Sequence, residues 1–151
     1  MNLTEKAETI NWPITHYIYF EKIGPFHETA PQAWNALHQM VPVISKNNQI
    51  TGYMSLYKVK PQVYRAGLAL SEPPHQLPQG MEYSYFKGGK YSKFVLTGSY
   101  KDLPEACGRV FEIVETDKIL TRDDFCLENY ITDPGKTPED EKITEILIPT
   151  A

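Results

Sequence analysis

Three side chains able to do chemistry alternate along one short stretch, Cys126, Glu128 and Tyr130. In a strand the two-residue period puts them on one face. A carboxylate buried among tyrosines has its pKa raised by desolvation. It can then serve as the counter-charge for a cationic ligand, or as a general acid or base. The same carboxylate on an open strand, or paired with Arg65 or Arg122, would do neither, and the residues alone leave both readings open. A second stretch, Tyr53, Ser55 and Tyr57, repeats the alternation with serine where the other has glutamate. Trp34 lies one position beyond the apolar stripe of a helix pattern, with His38 four residues on. It reads either as an aromatic wall with a polar neighbour or as a half-buried tryptophan closing the edge of the core.

Other chemistries lack their residues. There is no Ser-His-Asp order, no Gly-rich phosphate loop and no cluster of His, Cys and Asp at metal-ligand spacing. The acidic stretch from Asp133 to Lys142 lacks the alternating oxygen ligands and central glycine of a calcium loop. His16, His27, His38 and His75 are scattered, so neither metal nor cofactor is expected. With 15 Lys+Arg against 19 Asp+Glu, a net charge of −4 and a pI near 5.6, the chain is a poor binder of phosphate backbones. No direct nucleic-acid contact is expected. Two cysteines, Cys107 and Cys126, are too few for a disulfide framework and fit no zinc spacing. Residues Met1 to Glu8 are polar and make no secretory h-region. No apolar run approaches the roughly 20 residues of a membrane span. A cytoplasmic protein with reduced thiols, away from membranes, is the expectation.

The elements that would position these side chains are written twice. Thr29-Ala-Pro-Gln32 leads into the stripe Ala33, Leu37, Met40, Val41, and Asp102-Leu-Pro-Glu105 leads into Ala106, Val110, Ile113, Val114. Both openings have the form of a capping box with proline in the first turn, and both stripes follow one helix face. At the same offset of 73, Tyr53 to Tyr57 falls on Cys126 to Tyr130, Trp34 on Cys107, and Pro61 on Pro134; upstream, at 74, Tyr17, Phe20 and Gly24 fall on Tyr91, Phe94 and Gly98. Each copy reads strand, helix, strand, strand: 14–24, 29–43, 50–59 and 62–70, then 81–98, 102–117, 124–132 and 142–149. Ser71 to Gly80, with three prolines and a glycine, reads as the connector, and Gly88-Gly89 as a bulge or bend in the long first strand of the second copy. Residues 1–13 read as an edge strand or as an arm. The expected architecture is a single α+β domain over 1–151, with duplicated βαββ units (14–70 and 81–149) about a pseudo-dyad. An antiparallel sheet would carry two helices on one face and a groove at the seam. The 10 tyrosines, 6 phenylalanines and 2 tryptophans then read as walls of that groove, with Tyr17 matched to Tyr91 and Tyr57 to Tyr130.

Ile23-Gly24-Pro25-Phe26 before the first helix resembles the GyrI-like, or AraC-type, effector-binding domain. So do Gly88-Gly89-Lys90-Tyr91 with Gly98-Ser99-Tyr100 before the second, and the closing stretch Glu128-Asn129-Tyr130, Asp133-Pro134 and Thr144 to Pro149. The resemblance runs over nearly all of 14–149 and is carried by order and spacing. It implies a duplicated βαββ fold and a groove with aromatic walls. It also implies a central glutamate on the penultimate strand, which falls here on Glu128. Members of that family serve as drug-sensing halves of transcription regulators, as stand-alone small-molecule binders and as a gyrase inhibitor. Some stand-alone members hydrolyse cyclopropane-bearing toxins with a pocket glutamate and tyrosine. No helix-turn-helix fits into the first thirteen residues, so a DNA-binding domain is not expected.

The function these features imply is stand-alone binding of hydrophobic, aromatic or cationic small molecules. Tyr17, Trp34, Tyr53, Ser55, Tyr57, Tyr91, Cys126 and Tyr130 would line the site, with Glu128 at its centre. The alternative is a hydrolase of strained electrophiles, with Glu128 as the acid or base and Tyr57, Tyr91 or Tyr130 assisting. A gyrase-type protein partner ranks last.

Overall fold

The computed structural model describes residues 1–133 and 135–151; the pairing of Pro61 with Pro134 lies outside them. In chain order the elements are β1 (Asn2–Leu3), β2 (Glu8–Trp12), β3 (Thr15–Ile23), α1 (Phe26–Asn47), β4 (Ile50–Lys58) and β5 (Val63–Leu70). They continue with β6 (Glu82–Phe86), β7 (Gly89–Thr97), α2 (Leu103–Thr116), β8 (Cys126–Tyr130) and β9 (Ile143–Pro149). Short 3₁₀ turns occupy Tyr100–Asp102 and Glu139–Glu141. The class is α+β, and the chain divides into two compact units, Pro13–Gly88 and Met1–Trp12 with Gly89–Ala151.

Unit 13–88 contains β3-α1-β4-β5 and then β6. Its strands lie in the order β4-β5-β3-β6, each pair antiparallel. The other unit contains β7-α2-β8-β9, with the order β8-β9-β7, again antiparallel. The βαββ duplication read from the sequence is therefore present, down to the order of strands within each copy. In both copies the step from first strand to helix passes through a glycine at positive φ, Gly24 at 130° and its match Gly98 at 140°. Such backbone is cheap only for glycine, which is why these two positions match where most others diverge.

Boundaries differ from the expectation in the run 81–98 and at both helix starts. The run 81–98 is two strands, parted at Gly88 (φ 69°) and Gly89 (φ 113°). Its first half, β6, pairs with β3 of the preceding unit, with His16 opposite Tyr85. The second copy thus begins at Gly89, because two successive glycines at positive φ redirect the chain more sharply than a bulge. Of the two readings of residues 1–13 the edge strand is found: Asn2–Leu3 and Glu8–Trp12 pair antiparallel with β7, from Glu8 opposite Lys93 to Trp12 opposite Gly89, and Asn2 opposite Thr97. In each copy, then, the first strand is paired on both sides.

The helix starts differ too. α1 begins at Phe26 behind Pro25, and it runs to Asn47 with Pro31 and Pro42 inside it. Thr29 is not the cap, and its hydroxyl donates back to the Pro25 carbonyl at 3.1 Å. In α2, Asp102 takes the cap position and Pro104 the first turn, but the Asp102 side chain makes no capping bond. Ser99 instead caps the preceding 3₁₀ turn, accepting from the Lys101 N–H at 3.1 Å. The second stripe is where the 3.6-residue period puts it, whereas in the first Met40 and Val41 are only half-buried and Ile44 is buried instead. Ala33, Leu37 and Ile44 are buried in α1, which packs across β3 and β5; Ala106, Val110, Ile113 and Val114 are buried in α2. Full burial of a leucine such as Leu37 contributes about 1.5–3 kcal/mol.

Candidate functional site

The unit containing β8 gathers a polar cluster around Glu128. In the ladder Glu128 stands opposite Ile146 and Tyr130 opposite Thr144. Glu128 and Tyr130 therefore share a sheet face, and α2 lies over it, since Cys107 reaches Glu128. Glu128 is only 8% exposed, which removes the reading of an open strand carboxylate. The Tyr130 hydroxyl donates to Glu128 Oε1 at 2.6 Å, and the Cys107 thiol donates to Glu128 Oε2 at 3.2 Å. Charge-assisted bonds of this kind are the stronger class, and they offset part of the cost of burying a carboxylate. Arg122 in the same unit is engaged with Asp124 and with the Lys90 carbonyl, and its guanidinium lies over the Tyr91 ring at 4.9 Å.

A second layer packs behind Tyr130. The Tyr100 ring meets it edge-on at 5.7 Å, and the Lys142 ammonium sits over Tyr100 at 4.5 Å while pairing with Glu139. Burial, with Glu139 and Asp133 adding to it, pushes the Tyr100 phenol up, so it stays neutral. Its hydroxyl and that of the fully buried Thr144 have no hydrogen-bond partner among the described residues. Cys126, on the same strand face as Glu128, is pushed up to about 12 by burial and by the charges of Glu128 and Asp124. It is a thiol at any physiological pH.

Unit 13–88 carries a cluster of rings. Tyr53, Ser55 and Tyr57 stand opposite Leu68, Ala66 and Tyr64 on one face of the sheet, as the alternation predicts. Trp34 from α1 is half-buried, donates its indole N–H to the Tyr64 hydroxyl at 2.7 Å, and has His38 at 5.7 Å. Phe26 packs edge-on against Tyr57 at 5.6 Å and tilts against Tyr64, while Tyr57 and Tyr64 stack at 6.5 Å. Ser55 is fully buried.

Tyr17 and Tyr91 are placed elsewhere. Tyr17 stands opposite Ala69, and Tyr91 opposite Pro149, each on the sheet face away from Ser55 or Glu128. Both are fully buried. Tyr17 donates to the Met54 carbonyl at 3.0 Å and Tyr91 to the Phe125 carbonyl at 2.7 Å. They support the strands and line no open surface. Period two fixes which side chains share a face within a strand, but it does not fix the register between strands, and that register separates them from the site. Sequence reasoning, in turn, did not single out Tyr64, Phe26, Tyr100 or Thr144. The signal for Phe26 and Tyr100 was present, since each follows the positive-φ glycine at the threshold of a helix.

Among the described residues no group of three or more His, Cys, Asp and Glu could hold a metal ion, and no helix is long and apolar enough to cross a membrane.

Comparisons with known proteins place this geometry. SAV2435, solved bound to tetraphenylphosphonium, superposes with a TM-score of 0.77 at 13% identity, over 97% of this chain and 94% of that one. The C-terminal domain of EcmrR gives 0.75 at 19% identity, over 97% of each chain. A hydrolase from Listeria innocua gives 0.64 at 12% identity, over 97% of this chain and 92% of that one. At these identities the likeness is one of fold. A search of curated proteins finds no significant sequence match. The family model of the GyrI-like small molecule binding domain matches residues 7–151. With nearly the whole length matched, the chain belongs to the GyrI-like small-molecule-binding family.

Proposed function

We propose that this protein binds hydrophobic, aromatic small molecules, cationic ones among them, with Glu128 as the counter-charge. The observation that carries the reading is a carboxylate 8% exposed, held by the Tyr130 hydroxyl and the Cys107 thiol. A buried anion of this kind gains from an arriving organic cation, and an aromatic cation adds ring contacts worth about 0.5–2 kcal/mol each. Tyr130 is the ring nearest the charge, with Cys126 on the same strand face as Glu128; Trp34, Tyr53 and Tyr57, with Ser55, form a second candidate set in unit 13–88. The tetraphenylphosphonium bound by SAV2435 is a cation of the class this reading requires. Titration of tetraphenylphosphonium and of an uncharged dye, Nile red, followed by tryptophan quenching, tests it. Glu128→Gln should weaken the cation at least about tenfold, near 1.4 kcal/mol, and leave Nile red within about twofold. Equal cation affinity in both proteins removes the counter-charge role.

A second reading rests on the 2.6 Å bond between Tyr130 and Glu128. A phenol and a carboxylate so joined can pass a proton, which suits hydrolysis of a strained electrophile such as a cyclopropane-bearing toxin. Turnover lost in Glu128→Gln but kept in Trp34→Phe would support it. Stoichiometric protection without turnover would end it.

A further inference from the structure

The Cys107 thiol is the second donor on Glu128, and neither small-molecule binding nor hydrolysis draws on it as a nucleophile. It is half-buried, projects from α2, and meets Oε2 at 3.2 Å while Tyr130 occupies Oε1. Directly opposite Tyr130 in the ladder, on the same face, stands the fully buried Thr144. Its hydroxyl, like that of Tyr100 packed against Tyr130, has no partner among the described residues. A buried hydroxyl without a partner is costly, and a carbonyl oxygen is the complement that would relieve it. A nucleophile from α2, a base and the unanswered Thr144 hydroxyl are thus brought to one sheet face, with the Tyr100 hydroxyl in the layer behind.

We propose that Cys107 is a covalent capture site for soft electrophiles of the α,β-unsaturated carbonyl class, with Glu128 as the base. The inference rests on the reading that small molecules reach Glu128. The thiol proton passes to Glu128 Oε2 as sulfur bonds to the β-carbon of the electrophile. The π pair of the C=C bond moves toward the carbonyl, whose oxygen takes hydrogen bonds from the free hydroxyls. The α-carbon then recovers the proton from Glu128, so the thiol has added across the double bond and the carboxylate is regenerated. No oxidant, metal or leaving group is required. A neighbouring carboxylate disfavours a standing thiolate, so the proton must leave as the bond forms. Cys126 has no role in this, being buried as a thiol on the strand.

The titratable groups that face this carboxylate include Cys107 from α2 and Cys126 and Tyr130 from β8, with Tyr100 and Lys142 in the layer behind and Asp124 beside Cys126. Ile146, opposite Glu128 on β9, adds none. The test is the rate of addition of N-phenylmaleimide between pH 6 and 8, read by intact mass with peptide mapping. A thiol of pKa about 8.5 reacting only as thiolate speeds up roughly 75-fold over that range. Wild type should change less than about threefold, with the adduct on Cys107, and Glu128→Gln should regain the steep slope. Cys107→Ser should form no adduct. A steep slope in wild type, or labelling at Cys126, overturns the proposal. Tetraphenylphosphonium titration of the same wild-type protein separates the two readings. Cation binding that depends on Glu128, together with a steep maleimide slope, leaves the binding function standing and removes only the capture site.

Discussion

The Tyr130 hydroxyl lies 2.6 Å from Glu128 Oε1, two residues away on the same strand and the same face. The pair holds the Glu128 carboxyl where the sheet is nearly closed to water. Tyr130→Phe removes a donor from a buried carboxylate and should cost about 1.5–3 kcal/mol of stability in urea unfolding. In a Glu128→Gln background the same change should cost less, giving a coupling of at least about 0.5 kcal/mol in a double-mutant cycle. Additive losses would mean that the two side chains do not act together.

Tyr64 accepts the Trp34 indole N–H at 2.7 Å and stacks on Tyr57. Tyr64→Phe keeps the stacking ring and deletes the acceptor. The expected cost is about 1 kcal/mol, with Trp34 emission moving to shorter wavelength in a Trp12→Phe background. Unchanged emission would show that the bond does not persist in solution.

Gly67 is required by its neighbours. A Cβ there would meet the Ile18 carbonyl oxygen at 2.4 Å and Tyr17 Cζ at 2.5 Å. Backbone cannot yield as a flexible side chain can, so Gly67→Ala should destabilise by about 3 kcal/mol, at the upper end for overpacking. Gly108→Ala, with nothing within 4 Å of the new methyl, should be neutral or slightly stabilising. Chemical denaturation of the two variants side by side checks the contrast.

Tyr17 and Tyr91 make stability fall in alkali. Burial pushes both phenols well above 10, so above pH 10 the unfolded chain gives up these protons while the folded one keeps them. The contribution is whole below pH 10 and is lost as pH rises from there, at about 1.4 kcal/mol per pH unit for each phenol. Tyr91→Phe should flatten the decline between pH 10 and 11.5 by that amount, measured by urea unfolding. An unaltered slope would place the Tyr91 hydroxyl in water.

The helices and the repeat were legible because their signals are local. The stripes Ala106, Val110, Ile113, Val114 and Ala33, Leu37 are buried as spaced, and the matched glycines Gly24 and Gly98 mark the same turn twice. For Glu128 the shared strand face with Cys126 and Tyr130 was legible, but its burial was not, since that depends on the elements packed over the strand. The caps were not, since Thr29 and Asp102 have the right side chains but the chain turns helical before one and through the other. Nor was the partition of 81–98, because whether β6 joins β3 or β7 is settled by long-range pairing. The same reason hid the positions of Tyr17 and Tyr91.

Trp12 stands opposite Gly89 in the ladder between β2 and β7, so the chain leaves for unit 13–88 and returns at adjacent points. In the order of synthesis this nests one unit inside the other. Strands β1 and β2 emerge first but must wait for their partner until all of 13–88 has followed. Unit 13–88, whose strands pair in the order β4-β5-β3-β6, can close while the ribosome is still supplying the rest. The polar cluster around Glu128 is therefore completed last, when β9 pairs with β8.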